Sequence, residues 1–425
     1  MAPLKILLDS RNTPGIAAVK IWIREGSRAD PYGQKGVHQL LGSILTRGCG
    51  PYSNLEVADI IEGCGASMRC DTYEDGFLLS LKCSAEDQST LLPIIGWMIT
   101  APHLEPNQIN LERELCLQIL NRQKESPFCQ AFNSWRKLVY DKTPYGHDPL
   151  GRQDDVRKIT RTNLVNLSKE FIRREKVLVV SGSFSETILQ EIQELEPFAR
   201  LTSIETGKES LSKTKLDFRA KPSKQSVILQ NQETSQVVIM LGQKTISHSH
   251  PDDIALRLLA CHLGVGMSSL LFKRLREDNA LAYDVGVYHP IREYKSPFVI
   301  HASTSKEKAL LSLKLLLKSW EEILKEPLSD QEIALARAKF KGNLAHNSQT
   351  ISQRAERKAQ LIGFNMSESH DAESLEEIKY ISSQALVESA RRHLQNPLLS
   401  LCGPEMTIKE LAGYWNDHYE SFRSV

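Results

Sequence analysis

The sequence predicts an α+β protein built from two homologous domains, each a mostly antiparallel sheet packed with helices. Strand-like and helix-like segments occur in clusters, without the strict strand–helix alternation of parallel α/β proteins. Residues 203–224 are polar, charged and poor in apolar side chains, which is typical of a linker. The order of elements before this stretch is repeated after it. We therefore expect an N-terminal domain over 1–202 and a C-terminal domain over 225–425, related by duplication.

In the first half, the strand signal comes from alternating apolar residues and the helix signal from apolar residues at helical spacing. Ser53 or Asn54 is a suitable N-cap for the second helix, Gly63 follows its end, and the third helix ends at the break at Pro127. These patterns predict strands at 17–23, 76–83 and 177–182 and helices at 37–45, 54–62 and 112–123.

The second half shows the same mixture of signals, separated by a glycine turn at 264–266. Two long helical segments close the predicted order. The patterns predict strands at 235–241, 281–288 and 297–304 and helices at 253–262, 269–277, 306–324 and 329–348.

Composition excludes several classes of function. The 53 lysine and arginine residues nearly balance the 52 acidic residues, so no net field favours nucleic acid or an anionic membrane. No apolar run approaches the roughly 20 residues that a membrane span needs, and the N-terminus turns polar too early for a signal peptide. The eight cysteines form no CxxC pair and are expected to be reduced thiols. We expect a cytoplasmic protein.

One histidine, His38, lies on an apolar helical stretch, GVHQLLGSIL, which we compare with a catalytic metal-binding helix. A zinc helix would carry a general base and a second histidine three and four residues after His38, but Leu41 and Gly42 stand there. Taken alone, a single histidine on an apolar helix is more typical of a packed, hydrogen-bonded residue than of a ligand.

Two other local patterns are weaker. His248 and His250 flank a serine before a proline, a spacing that permits weak chelation but is more typical of a solvated turn. The pair Gly264 and Gly266 lacks the lysine of a P-loop and the third glycine of a dinucleotide-binding turn, which argues against a phosphate site.

Seven segments together resemble the inverted-motif zinc metallopeptidases, the family of insulin-degrading enzyme, pitrilysin and the mitochondrial processing peptidase. The resemblance extends over nearly the whole chain and implies a duplicated fold that forms half of a peptidase chamber. The segments are IWIREGSRADP, KGVHQLLGSILTRG, SNLEVADIIEGCGASMRCDTYEDGFLLSLKC, LERELCLQILNRQKESP, TPYGHDPLGR, HLGVGMSSLLFKRLREDNALAYDVGVY and LARAKFKGNL with SQRAERKAQLIG.

The resemblance implies a degenerate zinc site. The family motif is H-x-x-E-H with a more distant ligand glutamate. His38 matches the first histidine, whereas Leu41 replaces the catalytic glutamate and Gly42 the second histidine. Glu112 matches a supporting glutamate, and Ile119 falls where the third ligand belongs. With the general base and two of three ligands missing, we expect this chain to bind no catalytic zinc and to hydrolyse nothing by itself.

The resemblance also implies a retained pair of substrate-contacting residues in the second half. Some family members carry an arginine and a tyrosine seven residues apart that reach the active site, and LREDNALAY supplies Arg276 and Tyr283. Both are hydrogen-bond donors of the kind that stabilise an oxyanion. The alternatives are an arginine that complements a helix C-terminus and a tyrosine buried in the core.

Gly264 and Gly266 match a glycine-rich loop that the resemblance links to substrate handling in the non-catalytic processing-peptidase subunit. The loop is short here, and tight backbone packing explains these glycines equally well.

These implications predict a non-zinc, substrate-orienting subunit of a heterodimeric processing or oligopeptide metallopeptidase. Its partner would be a zinc-bearing homologue, so the cofactor Zn²⁺ is expected in the partner and none in this chain. The substrates would be unfolded peptides, with no nucleic acid or membrane involved. The alternatives are a catalytically inert subunit of the structural core type and a homodimeric peptide-binding protein.

Overall fold

The computed structural model describes residues 4–11, 15–202 and 225–423, and the predicted linker 203–224 lies outside the described residues. The elements of the first half are the strands β1 (Leu4–Ser10), β2 (Ile16–Ile23), β3 (Ser67–Thr72), β4 (Phe77–Ser84) and β5 (Lys176–Gly182) and the helices α1 (Val37–Leu45), α2 (Asn54–Gly63), α3 (Gln88–Thr100), α4 (Pro106–Glu125), α5 (Pro127–Tyr140), α6 (Gln153–Val156), α7 (Arg161–Phe171), α8 (Ile188–Glu194) and α9 (Glu196–Thr202).

The second half follows a related order, with a π-helical turn at Lys273–Glu277 after α11. Its elements are the strands β6 (Val227–Asn231), β7 (Gln236–Lys244), β8 (Ala282–Tyr288), β9 (Pro297–Ser305) and β10 (Leu398–Gly403) and the helices α10 (Asp253–Gly264), α11 (Leu270–Phe272), α12 (Ala309–Lys325), α13 (Asp330–His346), α14 (Ile351–Gly363), α15 (His370–Glu377), α16 (Ser383–His393) and α17 (Glu405–Arg423).

The two sheets have the same topology. Each is five-stranded, and the strand orders β1-β5-β2-β4-β3 and β6-β10-β7-β9-β8 follow one scheme. In each sheet the first and last strands along the chain pair in parallel, and the other neighbours pair antiparallel. This repetition confirms the predicted α+β architecture of two duplicated, mostly antiparallel sheets.

The described residues form two compact units, and each unit is assembled from three stretches of chain. The first comprises Met1–Leu120, His147–Leu216 and Ala345–Glu368. The second comprises Asn121–Gly146, Asp217–Leu344 and Ser369–Val425. Each unit therefore contains a helix contributed by the other half of the sequence: α14 in the first unit and α5 in the second.

In the first unit both faces of the sheet are buried, which explains the almost continuously apolar strand IAAVKIWI. Val19, Ile21 and Ile23 of β2 point into the main core with α1, α3 and α7, whereas Ala18 and Trp22 face α14. The α14 face also holds Lys20, which is fully buried and donates hydrogen bonds to Ser80 Oγ at 2.8 Å and to Glu356 of α14 at 3.3 Å. Helix α14 is thus fixed to the sheet by apolar packing and by the ion pairs of Lys20 with Glu356 and of Lys358 with Asp9, the second at 2.9 Å.

The second unit repeats this arrangement. Val237, Ile239 and Leu241 of β7 lie in the main core, and the other face of the sheet packs against α5. Trp135 of α5 is fully buried there, and its indole N–H donates to Leu398 O at 3.2 Å. Among the described helices, none combines the length and apolar character needed to cross a membrane.

Candidate functional site

The connection from β2 to α1 is organised by one buried carboxylate, that of Asp30. Asp30 Oδ2 accepts a hydrogen bond from the backbone N–H of Gly36 at 2.7 Å, and Asp30 Oδ1 accepts from the N–H of His38 at 3.2 Å. The two imidazoles of His38 and His147 also contact it, at 2.6 Å through Nδ1 and at 3.0 Å through Nε2. Asp30 therefore satisfies donors at the start of α1 and determines the orientation of His38.

This cluster is buried and charged. Burial alone would raise the pKa of Asp30, but hydrogen bonds from His147 and His38 outweigh it and hold that pKa well below its ordinary value. The carboxylate of Asp30 is thus ionised, and it accepts one hydrogen bond from His38 Nδ1 and one from His147 Nε2. The other nitrogen of His38, Nε2, makes no hydrogen bond among the described residues and lies 3.5 Å from Glu25 Oε1. Glu25 in turn pairs with Arg174.

The residues at the family's zinc positions do not fit a zinc ion. Leu41 is fully buried in the apolar core, and Gly42 offers no ligand atom. Ile119 lies on α4 with its side chain 49% exposed and is equally unable to coordinate a metal. The ring of His38 packs against those of Phe77 and Phe171, with centroids 5.8 and 5.9 Å away. His38 is therefore a hydrogen-bonded packing residue, as the sequence predicts.

Gly42 is required by the close approach of α1 to the sheet. A Cβ atom at this position would lie 2.6 Å from Thr72 Oγ1 and 2.9 Å from Phe77 Cε1. Any side chain here would require the side chains of Thr72 and Phe77 to shift, or α1 to move away from β3 and β4. Gly42 therefore allows the close packing of α1 on the sheet.

Glu112, the predicted supporting glutamate, has a structural contact at the end of α1. It is buried on α4, and Arg47 donates to Glu112 Oε1 through Nε at 2.7 Å and Nη2 at 2.6 Å. This paired interaction connects the segment after α1 to α4.

A comparable buried carboxylate is found at the corresponding connection of the second unit. Asp253, the first residue of α10, contacts His248 Nδ1 at 2.6 Å, His289 Nε2 at 3.5 Å and Arg257 Nε at 2.6 Å. Burial would raise the pKa of Asp253, but Arg257 and the two histidines hold it well below the usual value. In both units, an aspartate with two imidazole neighbours fixes the connection between the second strand and the following helix.

Arg276 and Tyr283 both lie on the surface of the second unit. Arg276 lies in the π-helical turn, one residue before its end at Glu277, is exposed, and has its guanidinium carbon 5.0 Å from the centre of the Phe272 ring. Tyr283 is 65% exposed and lies at a β-bulge, where the register of β8 on β9 shifts between Ala282 and Asp284. The alternative of a buried core tyrosine is therefore wrong, because the bulge removes Tyr283 from the inward-facing set.

The backbone between these two residues is held in place. Ala280 has a left-handed conformation with φ of +49°, and its N–H donates to Arg276 O at 3.1 Å. Its carbonyl accepts from Lys308 Nζ at 2.7 Å, and the Leu281 carbonyl accepts from the Thr304 hydroxyl at 2.6 Å. A fixed backbone of this kind favours a functional pair because it orients the donors before a ligand binds.

The glycines of the predicted loop have local structural reasons. At Gly264, which ends α10, a Cβ would lie 2.6 Å from Val287 Cγ2 and 2.7 Å from Val287 N. Gly266 has a positive φ of +74° in open space. Both observations favour the packing and turn explanation, and a role in substrate binding stays a prediction.

Sequence reasoning assigned no role to Glu25, Asp30 or His147. The signal was present, because IWIREGSRADP and TPYGHDPLGR are among the segments that carry the family resemblance. Local pattern alone did not join them, since Asp30 and His147 are 117 residues apart in the chain.

Comparison with known proteins identifies the class. Residues 5–148 match the model of the insulinase family, peptidase family M16, and residues 158–340 match the model of the peptidase M16 inactive domain. Together the two models cover more than half of the chain. The chain therefore belongs to peptidase family M16, the insulinase-like family, as the sequence resemblance implies.

Its relatives include proteins named as zinc proteases. The chain is 20% identical to the uncharacterized zinc protease YmxG of Bacillus subtilis over 355 aligned residues. The alignment covers 83% of this chain and 84% of the relative. It is 24% identical over 342 residues to an uncharacterized zinc protease of Rickettsia bellii, with 80% of each chain covered.

Solved structures share the fold. The peptidase M16 inactive domain from Pseudomonas fluorescens superposes with a TM-score of 0.83 at 20% identity, over 95% of this chain and 96% of that one. A chain of complex III2 from Candida albicans gives a TM-score of 0.78 at 13% identity, over 99% and 96%. At these identities the likeness concerns the fold alone.

Proposed function

We propose that this chain is the non-zinc, substrate-orienting subunit of a heterodimeric processing or oligopeptide metallopeptidase. The observation that carries the proposal is a contrast between two places. The zinc positions hold Leu41, Gly42 and Ile119, none of which offers a ligand atom, and Thr72 and Phe77 lie close to position 42. Arg276 and Tyr283, in contrast, are exposed on a fixed backbone.

The chemistry of the pair suits the stabilisation of a peptide bond under attack. The Tyr283 hydroxyl and the Arg276 guanidinium are donors, and a carbonyl oxygen that becomes negatively charged binds such donors more strongly than the ground-state carbonyl does. The permanently charged, planar guanidinium also suits binding of the substrate backbone carbonyls or a carboxylate. A zinc-bearing homologue would supply the metal and the general base, and this chain would supply the pair in trans.

The proposal predicts which partner the chain binds. Affinity purification of the tagged full chain from its own cells is expected to recover, in equal amounts, a homologue of similar length with an intact H-x-x-E-H motif. The double variant Arg276→Ala/Tyr283→Phe should recover the same partner, because both residues act on substrate rather than on assembly.

Two other outcomes would contradict the proposal and identify an alternative. Recovery of the subunits of a membrane complex would indicate an inert structural subunit of the core type. Recovery of only a second copy of the chain, with peptide binding but no zinc-bearing homologue, would indicate a homodimeric peptide-binding protein.

A further inference from the structure

A cluster of metal-ligand side chains lies in the second unit and includes none of the family's zinc positions. His250 and Asp252 lie just before α10, and His393 is the last residue of α16. One ligand atom from each of the three lies within 4.8 Å of the others. Asp252 and His393 are 141 residues apart in sequence, so only the fold brings them together.

The geometry is close to that of a site for one transition-metal ion. Zinc–nitrogen and zinc–oxygen distances of about 2.1 Å place tetrahedral ligand atoms about 3.4 Å apart. His393 Nε2 and Asp252 Oδ2 are 2.7 Å apart, and the rings of His250 and His393 have centroids 5.4 Å apart in an edge-on arrangement. Small side-chain rotations therefore suffice to bring the three ligands around one ion, and partial exposure leaves further positions for water.

The surroundings of His393 and Asp252 favour such a site. The His393 carbonyl accepts a hydrogen bond from the side-chain amide of Gln243 at the end of β7, and the same Gln243 accepts from Asn396 N at 2.7 Å. These contacts fix the backbone that carries His393. Asp252 is the N-cap residue of α10, but its carboxylate makes no capping hydrogen bond to the helix. It is directed at His393 instead.

Two existing interactions oppose a metal ion and limit its affinity. Arg392 Nη2 lies 3.3 Å from Asp252 Oδ2, so a second cation competes for this carboxylate. His250 Nδ1 accepts a hydrogen bond from Asp252 N at 3.0 Å, and coordination would replace that bond or turn the ring. Loss of these contacts is the cost of binding. The two imidazoles favour borderline ions such as Zn²⁺ over Ca²⁺ or Mg²⁺.

We propose that His250, Asp252 and His393 form a binding site for one divalent transition-metal ion of the Zn²⁺ class. The ion would join the connection before α10 to the end of α16 and so stabilise the second unit. This site is separate from the degenerate zinc helix and has no part in the proposed peptide chemistry.

The test is titration of the metal-free full chain with Zn²⁺ in an isothermal calorimeter. We expect binding of one ion per chain, weakened about tenfold or more in His250→Ala and in His393→Gln. The glutamine can still donate to Asp252, so this variant removes the imidazole ligand while keeping that contact. His346→Ala removes an exposed histidine elsewhere, and His38→Ala removes the family histidine; both should bind Zn²⁺ like the parent chain.

Thermal unfolding supplies a second readout. Zn²⁺ should raise the Tm of the parent chain and of His346→Ala, and at the same free Zn²⁺ concentration it should raise that of His393→Gln by less, because the stabilisation by an ion bound only to the folded state grows with its affinity. The absence of saturable Zn²⁺ binding, or binding unchanged in both His250→Ala and His393→Gln, would overturn the proposal. Neither result bears on whether Arg276 and Tyr283 act in trans, which peptide hydrolysis by the heterodimer tests separately.

Discussion

Replacement of Tyr283 by phenylalanine is expected to lower the kcat of the reconstituted heterodimer by about 10²- to 10³-fold. This is the usual effect of removing one preorganised oxyanion donor, corresponding to about 3–4 kcal/mol of transition-state stabilisation. The side chain is 65% exposed and lies at a bulge, so the loss of its hydroxyl leaves the core of the second unit intact. Because the donor acts mainly in the transition state, kcat and kcat/KM should fall together.

The matched control is Tyr288→Phe, which removes a hydroxyl from the same strand. Steady-state hydrolysis of a quenched fluorescent peptide measures both parameters, and size-exclusion chromatography checks that the variant still assembles with its partner. Turnover of the Tyr283→Phe heterodimer equal to that of Tyr288→Phe would exclude the assigned role of this hydroxyl.

The second large effect is expected at Asp30, the carboxylate that organises the start of α1. Asp30→Asn keeps the shape but removes the charge to which two buried imidazoles and two backbone N–H groups donate. Loss of one partner from a buried ionic cluster typically costs about 3–5 kcal/mol. We expect the Tm to fall by about 10 °C, whereas Asp59→Asn on the exposed face of α2 should leave the stability within about 0.5 kcal/mol.

The pH dependence of this effect has a defined sign. The folded state holds the pKa of Asp30 well below its ordinary value, so its contribution is present above the unfolded-state pKa of about 3.9 and lost as the pH falls through the folded pKa. The Tm difference between the parent chain and Asp30→Asn should therefore shrink as the pH falls below about 4. A difference that does not shrink below about pH 4 would contradict this account of the cluster.

Much of the fold follows from local sequence pattern, and what pattern misses is long-range pairing. The helix predicted at 37–45 has the bounds of α1, and the predicted Ser53 cap of α2 is present as a capping box with Glu56. The strands β1 and β3 were not predicted. β1 acquires its strand partner only from β5 at the end of the half, and β3 is a polar, partly exposed strand without the apolar alternation of a half-buried one. The helices α5 and α14 were not predicted either, and local pattern does not show that each packs in the unit of the opposite half.

The candidate sites show the same limit. Leu41, Gly42 and Ile119 stand out in sequence because a family motif fixes their spacing, and the space around Gly42 then explains why a glycine is needed there. The exposure of Tyr283 could not be predicted, since strand parity placed it with Leu281 and Val285, and only the bulge in β8 reverses that assignment. His250 gave a weak signal in a polar turn. His393, the third ligand of the proposed metal site, lies far away in sequence and is brought to it only by the fold.

The central claim is that this chain contributes substrate-orienting groups but no catalytic zinc. Its most direct test is peptide hydrolysis by the chain alone, by a zinc-bearing homologue from the same cells alone, and by an equimolar mixture. We predict no hydrolysis by this chain alone and strong activity only in the mixture. When this chain is replaced in the mixture by its double variant Arg276→Ala/Tyr283→Phe, the strong activity should be absent. Hydrolysis by this chain alone at the rate of the mixture, dependent on one zinc ion that is lost in His38→Ala, would contradict the account.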